Sequence, residues 1–209
     1  MPSELNQVPS PVDLPVAGQS PRRRADAMRN HERVLCTAAR LFAERGPEHV
    51  SMDQIAAEAG VGKGTLFRAF SDRAGLAAAV LSEHEAAFQD DVLRGPAPLG
   101  PGAPPIERIA AFGTAYMAFL DSHIDLMLAV ERGIGTRYKT GPFTMYRVHL
   151  GTLVREALPA GFDHDYTTDV LLAPLAADFF FYQRRIRERS LPELADAYRC
   201  LAGRVLTGR

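Results

Sequence analysis

Apolar residues recur along this chain at the three- and four-residue spacing of amphipathic helices, and no segment alternates with the period of two that a strand requires. Over residues 25–45, Val34 and Leu35, Ala38, and Leu41 with Phe42 mark one helix face. Gly46-Pro47 ends that helix, glycine standing at the usual position past a C-terminus. A second start signal follows at once. Ser51 suits an N-cap, Gln54 three residues on completes a capping box, and Val50 and Ile55 can close a hydrophobic staple. This second helix is short and stops at Ala59-Gly60. A third runs from about Gly62 to Phe70, and Ser71-Asp72 caps a fourth that reaches about Leu93. Residues 94–105, RGPAPLGPGAPP, hold too much proline and glycine for helix or strand and form a loop or flexible join. Further helical periodicity covers about 105–121, 124–133, 142–158, 164–188 and 191–206, with Pro174 expected to kink the fourth of these. The pattern predicts an all-α fold.

Three short helices within about 45 residues, the last two joined by a tight turn, have the geometry of a helix-turn-helix. Ala56 is small where two helices must cross, Gly60 permits a left-handed turn residue, and Val61 can plug the turn. On a helical wheel Leu66 and Phe70 of the third helix point to the core. The opposite face carries Arg68 flanked by Gly64 and Thr65, with Lys63 at the helix start. A narrow, polar and cationic face of this kind fits a DNA major groove. Arg68 can reach a guanine edge or a phosphate, and Thr65 with the helix N-terminus suits phosphate. A plain three-helix subdomain with a solvated Arg68 gives the same periodicity.

Charge sharpens that picture. Over all 209 residues the net charge is −1, so any contact with DNA must be local. Residues 22–73 hold nine arginines and one lysine against seven carboxylates, a net of +3. The run Arg22-Arg23-Arg24 is either a solubilising charge cluster or a basic arm touching phosphate. Before it, residues 1–21 are rich in proline and serine, without apolar periodicity, and are expected to be a disordered tail. They show no signal-peptide core, and no run of 18 apolar residues suggests a membrane span, which points to a cytoplasmic protein. The two cysteines, Cys36 and Cys200, make neither a disulfide framework nor a metal spacing.

The stretch from Val34 to Leu76 resembles the DNA-binding domain of the tetracycline-repressor (TetR) family. The resemblance lies in Phe42 and Gly46, in Ile55 to Val61, in Thr65-Leu66-Phe67 and in Phe70 before the fourth helix. It implies an all-α homodimer, with an N-terminal three-helix domain at 22–72 that reads a double-stranded DNA operator. It also implies a larger C-terminal helical domain at 73–209 that binds a small effector and dimerises through about 164–206. By the same resemblance Ser51 and Thr65 are phosphate contacts, Lys63, Gly64 and Arg68 face the groove, and Arg73 takes the place of a phosphate-gripping lysine. The chain departs from the family at Gly62, where serine is usual, at Phe67, where tyrosine supplies a hydroxyl, and at Ala69, where a bulky residue is common. Phe67 is therefore expected to make a packing contact. An inducible repressor is the implied function.

Most aromatics lie in the C-terminal half. Phe112, Tyr116, Phe119, Met127 and Tyr146 could be core or the walls of an effector pocket, since such pockets are apolar with a few polar anchors. Tyr116, Tyr146, His149, Asp178 and Tyr182 are candidate anchors. Asp178, a carboxylate inside an apolar run, needs a partner there: an arginine, or a cationic or hydroxylated effector. The resemblance assigns Leu171, Leu172, Leu175 and Leu201 to the dimer interface. Asp121-Ser122-His123 and Asp163-His164-Asp165 offer acid–base groups but sit at predicted helix ends, where aspartate is a common cap, so neither catalysis, a metal nor a cofactor is expected. A helical ligand-binding or scaffold protein with a vestigial helix-turn-helix is the alternative.

Overall fold

In the computed structural model, which describes residues 21–131, 135 and 137–207, the chain is built of helices and turns. Residues 1–20, and so nearly all of the expected tail, lie outside the described residues, as do the side chains of Arg22 to Arg24. Helix α1 spans Pro21–Arg45 and is followed by a single 3-10 turn. Helices α2 (Met52–Ala59), α3 (Lys63–Phe70) and α4 (Arg73–Arg94) come next. A succession of turns over 95–104 leads to α5 (Pro105–Val130) and then to α6 (Gly141–Ala157) and α7 (His164–Leu172). The short α8 (Ala177–Phe181) runs into a π-turn, Tyr182–Ile186, and α9 (Leu191–Thr207) closes the described chain.

The apolar side chains form two clusters. The first joins α1, α2 and α3 through Leu41, Ile55, Leu66 and Phe70. The second joins α4, α5, α6, α7, α8 and α9 around Phe112, Leu120, Leu150 and Phe180. The packing changes hands inside α4: Leu76, Ala77 and Val80 belong to the first cluster, and Leu81, Phe88 and Val92 to the second. The expected boundary at residue 72 therefore coincides with a helix cap and not with a break in packing. Helix α5 lies at the centre of the second cluster and contacts α4, α6, α8 and α9. Its Leu126 and Val130 also reach the first cluster.

Two sequence expectations are corrected. The predicted break at 121–124 is absent, and α5 is continuous. Ser122 donates to the Ala118 carbonyl, His123 turns its ring Nδ1 to the Phe119 carbonyl, and Asp121 pairs with Arg184 at 2.8 Å. None of these three residues is free to stop the helix. The segment 164–188 is not one kinked helix. Pro174 ends α7 in a 3-10 turn, and Ala176 turns fully extended at ψ 137° before α8 begins. Asp163 does cap α7, accepting from the Tyr166 amide at 2.9 Å.

Candidate nucleic-acid interface and interior ligand site

The start of α2 is held by the capping box read from the sequence. The Gln54 amide donates to the Ser51 hydroxyl at 3.2 Å, and the Ser51 amide donates to the Gln54 side chain at 2.9 Å. Val50 and Ile55 are both buried beneath it. Gly60 takes the left-handed conformation, φ 65° and ψ 36°, so the chain reverses between α2 and α3 without strain. The Val61 amide then donates back to the Ala56 carbonyl at 3.0 Å. Arg40 on α1 pairs with Glu58 on α2, which ties the two supporting helices together on the outside.

Leu66 and Phe70 anchor α3 to the first cluster, and every other residue from Gly62 to Ala69 is exposed. The exposed face holds Lys63, Gly64, Thr65, Phe67 and Arg68. Gly62 caps α3 without a side-chain acceptor, so the first amides of the helix remain open to an anion. A Cβ at Gly64 would meet nothing within 4 Å, which leaves room for close approach of a partner. Arg68 lies along the helix, its Nε donating to the Gly64 carbonyl at 3.1 Å. Lys63 pairs with Asp53 of α2 at 2.6 Å on the open surface. Ser51 and Phe67 are exposed, whereas Arg73 is half-buried and donates to the Glu48 carbonyl at 2.7 Å. Arg73 thus braces the turn after α1 in the free protein.

Five of the eight ligand candidates gather in the second cluster. Phe112, Tyr116, Phe119, Met127 and Tyr146 are all buried. Phe112, Tyr116 and Tyr146 stand with ring centroids 5.2–5.8 Å apart, and Phe119 stacks on Tyr116 at 5.8 Å. His149 sits at the edge, 5.9 Å from Phe112, with its Nε2 buried and unpartnered among the described residues. Burial, helped by Arg108, holds the His149 ring down at about 4, so it is neutral near pH 7. Beyond it opens a cleft of 660 Å³ lined by Leu93, Arg108, Met145 and Val148.

Asp178 and Tyr182 are not in this group. Asp178 is exposed in the first turn of α8, accepting from the Phe179 amide at 2.7 Å, so it needs no buried partner. Tyr182 is exposed as well. Leu171, Leu172 and Leu175 are buried in the protomer's own core and are unavailable to a partner subunit. Tyr166, Phe179, Tyr182 and Ile186 are the exposed large apolar residues among the described residues of 164–206.

Sequence reasoning missed Glu85, Phe88 and Glu131. Phe88 lies within 5.6–5.8 Å of the rings of Phe112, Tyr116, Phe119 and Tyr146, at the hub of the cluster. Glu85, one turn before it on α4, is buried. Loss of water, and then the nearby Glu131 charge, push its carboxyl up to about 7. A carboxylate four residues after Leu81 and three before Phe88 was a readable signal, an acid on the apolar stripe of a helix.

Comparison with known proteins bears on the family of the N-terminal part and on the fold of the whole. Residues 34–80 match the family described as bacterial regulatory proteins, tetR family. An HTH-type transcriptional regulator of Staphylococcus aureus (strain bovine RF122 / ET3-1) is 47% identical over 53 residues. That match spans 25% of this chain and only 29% of the relative's length. Among solved structures, a TetR-like transcriptional regulator from Rhodococcus sp. RHA1 superposes with a TM-score of 0.59 at 21% identity, over 86% of this chain and 97% of that one. The FadR repressor of Thermus thermophilus, solved in complex with lauroyl-CoA, superposes with a TM-score of 0.63 at 18% identity, over 85% and 95%. At these identities the likeness shows the fold. No helix among the described residues is long and apolar enough to cross a membrane.

Proposed function

We propose, from the premise that the N-terminal domain of this chain belongs to the tetR family of bacterial regulatory proteins, that the protein is a cytoplasmic, ligand-responsive repressor. It binds an inverted-repeat operator as a homodimer and leaves it when a small effector enters the C-terminal domain. The observation that carries the reading is α3. Its core side is fixed by Leu66 and Phe70, and its outer side is a small polar face around Arg68 with an uncapped helix N-terminus. Arg68 reads a base edge, while Ser51, Thr65 and the first amides of α3 meet phosphate. Lys63 exchanges Asp53 for phosphate on docking, and Arg73 keeps its brace on Glu48 while its remaining donors reach the backbone. Phe67 packs against sugar.

The second cluster supplies the effector site, with Phe112, Tyr116, Phe119, Met127 and Tyr146 as its apolar walls and His149 at its edge. The complex of the Thermus relative with lauroyl-CoA supports a small-molecule role for this fold. The dimer forms along 164–206, where Phe179, Tyr182 and Ile186 are exposed. Transmission runs through α4 and the end of α5, because both carry residues of the two clusters. A ligand that binds the two arrangements of these helices unequally shifts the spacing of the paired α3 helices and lowers operator affinity.

Arg68→Ala is expected to weaken operator binding by roughly 1–3 kcal/mol and to relax preference at the base it reads. Band shifts on fragments bound by the wild type measure both. Unchanged affinity and preference would remove Arg68 from the interface.

A further inference from the structure

The inward stripe of α4 in the second cluster runs Leu81, Glu85, Phe88 and Val92, all buried. Packing asks for an apolar residue at each of these positions, and one of them is a carboxylate. Glu131, at the end of α5, is half-buried and shares the same interior, its charge acting on Glu85 and on Tyr116. Buried carboxylates are normally matched by a cation. Among the described residues neither carboxylate is part of an ion pair. The field of Arg137 reaches Glu131 and opposes the effect of burial there, and exposed Asp178 adds negative charge.

A second observation is independent of the acids. Tyr146 is only 2% exposed, and its hydroxyl has no hydrogen-bond partner of sound geometry. The Gln89 side chain is its nearest polar group and favours the ionised form, and the Glu85 charge bears on the same hydroxyl. A buried hydroxyl left without a partner is destabilising unless something fills its valence. Against its ring stand Phe88 and Tyr116, aromatic systems with electron-rich faces. Two carboxylates without an ion-pair partner among the described residues, a buried hydroxyl and the neighbouring rings share one chemical complement, a positive charge carried on an apolar body.

We propose that the effector is a lipophilic organic cation, an amine or quaternary ammonium whose charge sits between Glu85 and Glu131 while its apolar body lies against Phe88, Tyr116 and Tyr146. This inference rests on the ligand-responsive reading above. It also gives the ligand a mechanical task. Glu85 is on α4, four residues from Leu81 and one turn beyond the part of α4 that enters the first cluster. Glu131 ends α5 just after Val130, which touches the first cluster. One cation drawing both carboxylates together shifts two helices that support the DNA-binding subdomain.

Calorimetric titration of the full chain tests this with two cations and their charge-altered shape mimics: tetraphenylphosphonium against tetraphenylborate, and benzyltrimethylammonium against neopentylbenzene. The cation is expected to bind at least about tenfold tighter than its mimic in at least one pair, and Glu85→Gln or Glu131→Gln is expected to remove at least about tenfold of that affinity. Thermal melts of both variants confirm that they fold, since glutamine keeps the volume. Absence of cation binding up to millimolar concentration, equal binding of the mimic, or glutamine variants within twofold of wild type would each overturn the inference. Band shifts run in parallel separate the two levels. Operator binding without a glutamate-dependent cation site leaves the regulator and removes this effector class. Glutamate-dependent cation binding without any operator binding keeps the site and removes the regulator.

Discussion

Glu85 has a consequence for stability that needs no ligand. Its folded-state carboxyl titrates near 7, above the 4.5 of an exposed glutamate. The folded protein therefore holds a proton that the unfolded chain releases earlier. The stabilisation is complete below about pH 4.5 and is lost as pH rises to about 7. Glu85→Gln abolishes this slope, and above pH 7 the variant is expected to be more stable than wild type by up to ~3 kcal/mol. Urea unfolding of both proteins at pH 4.5, 6 and 8 measures it. A difference that does not grow with pH would place Glu85 in water. The residues that the sequence made legible are those whose work is local. Ser51 and Gln54 satisfy each other across one turn, and Arg68 faces outward because Leu66 and Phe70, on the same short helix, face inward. Asp178 and Glu85 were opaque for the converse reason. Whether a carboxylate in an apolar run is buried depends on helices distant in the chain: α8 exposes Asp178, and α4 buries Glu85.

Among the elements, α5 and α9 fit through a single glycine. A Cβ at Gly113 would lie 1.9 Å from the Tyr198 ring, and Tyr198 is itself 2% exposed. Gly113→Ala must push α9 off α5, although alanine is the better helix former. It is expected to lower stability by about 1–3 kcal/mol, read as a lower midpoint in urea unfolding. An equal or raised midpoint would show that Tyr198 has somewhere to move. Helix starts and stops were predictable where they depend on caps and glycines, as at Gly46, Ser51, Gly60 and Asp72. They were not predictable where a potential cap is used otherwise. Asp121 looked like a helix end, yet it spends its carboxylate on Arg184, sixty-three residues away. Pro174 signalled an irregularity, but a kink and a full break differ only in the backbone of Ala176, which tertiary packing decides.

At the scale of the molecule, two apolar clusters share α4 and the end of α5, with a cavity of 440 Å³ at their junction lined by Phe42, Val80, His84, His123 and Leu126. The rings of His84 and His123, both on its wall, touch with centroids 4.6 Å apart. A shared helix and an incompletely filled junction allow the DNA-binding subdomain to move as a unit when the interior changes, which repression released by a ligand requires. The all-α class was visible in the periodicity along the whole chain, and the place of α3 in the pattern of the first seventy residues. The sharing of α4 was not, because which cluster each of its turns joins depends on helices distant in the chain.

The central claim is that α3 reads DNA from a symmetric dimer. Selection of fragments bound by the full chain from the source genome, followed by footprinting of the recovered sites and a salt titration, tests it most directly. Two protected, inverted half-sites are expected, their centres one helical turn or roughly 34–36 Å apart, with affinity falling steeply as salt rises. Failure to retain any fragment at low salt, or retention without a paired footprint, would contradict it.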